Sequence, residues 1–62
     1  MNIINALEIA IQEETAAMNK YNHLAGEAED TETRLMFEQI AREECSHLKI
    51  LKERLKSIKF VL

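Results

Sequence analysis

Two long stretches of this sequence repeat apolar residues at alternating steps of four and three, the spacing that lays a single stripe along an α-helix. The first stripe runs Ile3, Leu7, Ala10, Glu14, Ala17, Tyr21, Leu24 and Ala28; the second runs Phe37, Ile40, Glu44, His47, Leu51, then Arg54 or Leu55, and Ile58. No proline interrupts either, and the one glycine, Gly26, falls beside the acidic, weakly apolar patch AGEAEDTET that separates them. The spacing therefore predicts an all-α antiparallel hairpin over residues 1–62, with helix A over about 3–28 and helix B over about 31–59. Asn2 or Asn5 can cap helix A, Asn5 with Glu8 resembling a capping box. Asp30 is the natural cap of helix B, with Glu32 in its positive first turn.

Only Glu14, Glu44 and His47 interrupt the stripes with groups that bind cations. Measured from a turn near residue 30, all three lie at a similar distance along their helices, so an antiparallel hairpin brings them to one level. A chain of 62 residues buries too little surface to be secure alone, and its single cysteine, Cys45, closes no internal bridge. Burying both stripes is achieved most economically by a twofold dimer, which makes a four-helix bundle.

Twofold symmetry doubles the polar layer to four carboxylates and two imidazoles. Buried carboxylates repel one another and resist desolvation, so the layer must be protonated or neutralised by cations. Two divalent metals balance the four carboxylates. Mixed carboxylate and imidazole donors suit iron or manganese, with zinc also compatible, better than magnesium or calcium. Glu44 and His47 stand three apart on one helix face, an E-x-x-H pair in which the histidine can bind one ion while the carboxylate reaches a second. Six ligands over two metals leave open positions for water, O2 or peroxide.

Composition limits the alternatives. The net charge is −3, with ten acids against Lys20, Arg34 and Arg42 in residues 1–48, and Lys49, Lys52, Arg54, Lys56 and Lys59 against Glu53 in residues 49–59. An acidic majority argues against nucleic acid and suits cations. No apolar run reaches the roughly 18 residues of a membrane span, and the start lacks a basic segment followed by an apolar one. The expectation is a soluble, unprocessed protein without a membrane partner. A lone cysteine fits a cytoplasmic location. The cations near the end read as complements to the helix dipole.

The run ALEIAIQEETAAMNKYNHLAGEAEDTETRLMFEQIAREECSHLKILKERL resembles the ferritin-like di-iron superfamily, specifically its rubrerythrin-like and encapsulated-ferritin-like half-bundle members. The likeness is carried by Glu14 with Tyr21 seven later, by the AED break, and by Glu44 and His47 on the second helix. It implies a ferritin-like four-helix bundle made by two hairpins, with two iron ions per dimer. Glu14 would be a terminal ligand, Glu44 a bridge and His47 the ligand completing each coordination sphere, all across a subunit interface. Tyr21 would stand behind the ligands, and the lean of helical side chains independently aims it back toward Glu14. The implied activity is that of a ferroxidase or peroxide-scavenging oxidoreductase acting on Fe(II) with O2 or H2O2. An external electron donor is needed, because one cysteine forms no rubredoxin-type site. An encapsulating shell fits the same resemblance, although SIKFVL is too short to assign as a targeting tail. Ala17 stands where many relatives carry a second glutamate, and Ala16 and Lys20 depart from an acidic and aromatic approach to the site that Glu13 alone would fit.

Two other readings attach to the same residues. The buried layer could fix register in a non-catalytic dimeric interaction module. The segment LKILKERLKSIKFVL could lie on a surface through Leu48, Leu51, Leu55 and Ile58. His23, Glu13 and Glu43 read as solvent-facing, and Cys45, Met18 and Met36 as packing groups.

Overall fold

The structure, a computed structural model, describes residues 1–61; Leu62, the final residue of the unit expected from the sequence, lies outside them. Two helices account for nearly all of it: α1, Ile3–Glu27, and α2, Thr31–Val61. They run antiparallel as a rod with principal extents of 48 × 17 × 12 Å, and the described residues contain no strand.

Local chemistry sets the helix ends. Asn2 caps α1: its side-chain oxygen accepts a hydrogen bond from the Asn5 N–H at 2.8 Å. Asn5 is thus already inside the helix, and the capping box read at Asn5 and Glu8 is not formed. Asp30 caps α2 in the same way, with Oδ2 accepting from the Thr33 N–H at 2.8 Å. The Thr33 backbone and side chain together hold the Asp30 carboxyl below its ordinary value.

Gly26 does not make the turn. It remains within α1, and no described residue adopts a positive φ. The helix stops because Ala28 becomes extended at φ −67°, ψ 130°, its N–H still reaching the Ala25 oxygen at 3.3 Å, and Asp30 then starts α2. A connection this short can only return the chain alongside itself.

The hairpin seam is thin. Only Ala25, Ala41, Leu48 and Ile58 are buried. Leu7, Ile11, Met18, Tyr21, Leu24, Phe37, Ile40, Leu51 and Leu55 are half-buried along the same flanks. Burying a Leu or Ile side chain contributes about 1.5–3 kcal/mol, against an ordering cost of about 1–2 kcal/mol per residue. Ile3, placed on the stripe by its spacing, is 54% exposed, and Ile4 turns inward instead. Met36, read as a packing group, is 51% exposed, and Ile50 is 66% exposed. Lys59 Nζ lies 4.0 Å from Glu8 Oε2, tying the open end together.

Candidate metal centre

Glu14 sits near the midpoint of α1, and Glu44 and His47 lie near the midpoint of α2. The E-x-x-H spacing puts the last two one helical turn apart on one face, and the hairpin brings Glu14 against them. His47 Nδ1 is 3.2 Å from Glu14 Oε2 and 3.9 Å from Glu44 Oε2. One ligand atom from each of the three residues lies within 4.8 Å of the others. These three form the only such potential metal-binding group among the described residues.

Neither carboxyl behaves as an isolated acid. Glu14 is held below its ordinary value of 4.5, first by a hydrogen bond with the Glu44 carboxyl, then by the hydrogen bond and charge of His47, against partial desolvation. Glu44 is pushed above 4.5 by the same hydrogen bond to Glu14, by desolvation and by the Glu14 charge, with His47 acting in the opposite direction and Glu43 adding to the rise. Physically, the two carboxyls share a hydrogen bond and titrate as a pair rather than as independent acids.

The geometry fits a small divalent ion. An ion about 2.1 Å from each donor holds donor atoms no more than about 4.2 Å apart. His47 Nδ1 already meets that limit with both carboxylates. Two carboxylates and one imidazole are donors that suit a divalent cation. The cluster also opens sideways: the His47 side chain is 55% exposed while those of Glu14 and Glu44 are 29% and 19% exposed.

Tyr21 is placed differently from its sequence-based expectation. Its ring packs 5.9 Å from that of Phe37, centroid to centroid, and Lys20 Nζ lies 4.7 Å from its centroid. Among the described residues its hydroxyl makes no hydrogen bond to Glu14 or Glu44. Sequence reasoning treated Glu43 as a bystander, yet its charge contributes to the rise at Glu44. Its adjacency to a ligand was the available signal. His23 and Glu13 are exposed. Cys45 is a half-buried free thiol beside a shallow groove lined by Met18, Asn22, Glu38, Ala41 and Arg42, on a flank of α2 away from the cluster. Leu48 and Ile58 are buried within the hairpin and Leu51 and Leu55 partly so, which engages with α1 the four residues of the surface-binding reading, while Ile50, Phe60 and Val61 stay exposed.

The antiparallel helical pair brings two carboxylates and an imidazole together near mid-length. The comparison with protein families agrees: the model described as Rubrerythrin matches residues 5–61, and the chain belongs to this ferritin-like di-iron family. Membership implies iron binding. No curated protein and no solved structure matches the chain closely enough to count as a relative.

Proposed function

We propose that residues 1–62 act as one half-bundle, that two copies pair into a four-helix bundle, and that the paired clusters bind two irons and oxidise Fe(II) with O2 or peroxide. The observation that carries this reading is the meeting of Glu14 from α1 with Glu44 and His47 from α2, donor atoms within 4.8 Å of one another. Manganese or zinc suits the same donors. Supporting the pairing, the hairpin buries only four residues, and the cluster's histidine faces outward on an open side. Because the cluster lies near mid-length, a second hairpin inverted about an axis perpendicular to the rod brings its own cluster to the same level.

In this arrangement Glu14 and Glu44 would supply carboxylate donors and His47 would donate through Nδ1, the nitrogen that faces the carboxylates. Fe(II) is the substrate: each ion gives up one electron, and O2 or peroxide is reduced. The protein's share is positional and electrostatic. It holds anionic donors that favour the higher charge of Fe(III), and packs Tyr21 with Phe37 on the turn side of the layer. Tyr21 supports the ligands through that packing. An external reductant would be needed for repeated peroxide turnover.

The test is an anaerobic Fe(II) titration of metal-free protein, followed by admission of air while near-ultraviolet absorbance is recorded. The expected result is a break at one iron per chain, then oxidation faster than in buffer, with Glu44→Ala losing both. A protein showing no break, with a fold indifferent to chelators, would instead be an interaction module whose polar layer fixes register.

A further inference from the structure

The cations at the end of the sequence are only partly explained by the helix dipole. Of Lys49, Lys52, Arg54, Lys56 and Lys59, only Lys59 lies in the last turn of α2, and dipole effects fade beyond that turn. Lys49, Lys52, Lys56 and Lys59 recur at steps of three, four and three, which aligns them in one stripe along the helix. All four are exposed, and among the described residues only Lys59 has an acidic partner, Glu8. Around the helix, the stripe stands on the flank away from His47 and outside the proposed dimer face, and only Lys59 reaches across to α1, at Glu8. Lys52, Lys56 and Lys59 border a shallow groove whose apolar part is Leu55 and Phe60.

The opposite end of the rod has the complementary charge. Glu27, Glu29, Asp30 and Glu32 surround the turn, all exposed, and none forms an ion pair among the described residues. The rod is 48 Å long, several times the screening length of about 8 Å at physiological ionic strength, so the two poles do not neutralise each other within one molecule. In the inverted pair proposed above, each end of the bundle carries one acidic turn and, on an outer flank, one lysine stripe, so bundles meeting end to end set turn against stripe.

We propose that the lysine stripe of α2 is a docking surface for the acidic turn of a second copy, linking molecules head to tail. Such a contact uses different surfaces on the two partners, so it extends into a ring or a filament. Other anionic partners fit less well. The leucines that would insert into a lipid surface are engaged in the hairpin, and the acidic remainder of the chain repels nucleic acid. The contact needs no metal, so it stands apart from the iron chemistry proposed above.

Sedimentation velocity of the full chain tests it. In about 10 mM salt, where charges act over about 30 Å, the protein sediments as species larger than its smallest unit; in about 1 M salt, where the range is about 3 Å, it returns to that unit. Lys52→Glu with Lys56→Glu remains at the smallest unit at low salt, and so does Glu27→Lys with Glu29→Lys. Asp30 is left untouched because it caps α2. An equimolar mixture of the two double variants recovers the large species, since each reversed surface meets its complement. The proposal is overturned if wild type shows one size at every salt, if either reversal leaves the assembly unchanged, or if the mixture does not recover it. Co-sedimentation of wild type with anionic vesicles at low salt, without larger protein species, would assign the stripe to lipid and overturn it equally. Iron uptake stays at the wild-type stoichiometry in both double variants, which separates a failure of docking from a failure of the metal site.

Discussion

Glu44 makes the metal-free protein less stable as pH rises above the ordinary carboxylate range. Its carboxyl is pushed above 4.5 by Glu14 and by desolvation, so the folded state binds more protons than the unfolded state just above that pH. Stability from this source is complete below 4.5 and is lost as pH rises through the raised value. Glu14 has the opposite sign: being lowered, it contributes stability above 4.5 that disappears as pH falls through its depressed value, and Asp30 adds to the same acid limb. Thermal unfolding of chelator-treated protein should therefore be weakened on both sides of the ordinary carboxylate range. Glu44→Gln, which cannot ionise, should flatten the high-pH limb alone. Equal slopes on that limb in wild type and variant would contradict this account, and bound Fe(II), favouring the ionised carboxylate, should abolish the limb in wild type. The residues involved were legible in the sequence because Glu14, Glu44 and His47 violate an apolar spacing, and a violation at matching distances from a turn is informative. The position of Tyr21 was less legible: helical lean gave its direction, whereas contacts with Phe37 and Lys20 depend on how the two helices are rotated against each other.

At the scale of elements, the helices follow from stripe spacing and from the lack of proline, and α1 ends at Glu27, one residue short of the expected 28. α2 continues to Val61, two residues past the expected 59, because no breaker follows Lys59 and apolar spacing says nothing about an exposed last turn. Gly26 misled in an instructive way. Glycine marks turns when a positive φ is required, but here the chain reverses without one. A methyl group built on Gly26 would meet nothing within 4 Å. Gly26→Ala should consequently stabilise the protein by about 0.5–1 kcal/mol, since alanine keeps helical backbone angles and has less freedom to lose on folding. Urea unfolding monitored by circular dichroism would show a higher midpoint at unchanged slope. A lower midpoint would mean that an approaching partner occupies the space beside Gly26.

The whole molecule has few buried residues and a site that opens to one side, and both features bear on how it persists in water. Ile50 at 66% exposure, with Leu35 and Met36 at 51%, gives a single hairpin more uncovered apolar surface than its four buried residues can offset. If two hairpins fold as one unit, unfolding produces two chains from one, and the folded state gains about 1.4 kcal/mol for each tenfold rise in concentration. For a bundle of this size that shifts the thermal midpoint by roughly 5 °C per tenfold. The measurement belongs in about 1 M salt, where end-to-end contacts between opposite charges are screened and only the apolar interface remains. Across a hundredfold range of chelated protein, a rising midpoint would show that the stripes are buried between copies and that the polar layer is paired before iron arrives. A midpoint independent of concentration would show that the hairpin stands alone. Glu14, Glu44 and His47 would then offer each ion three donors at an open surface, too few to hold two irons close enough for them to share Glu44.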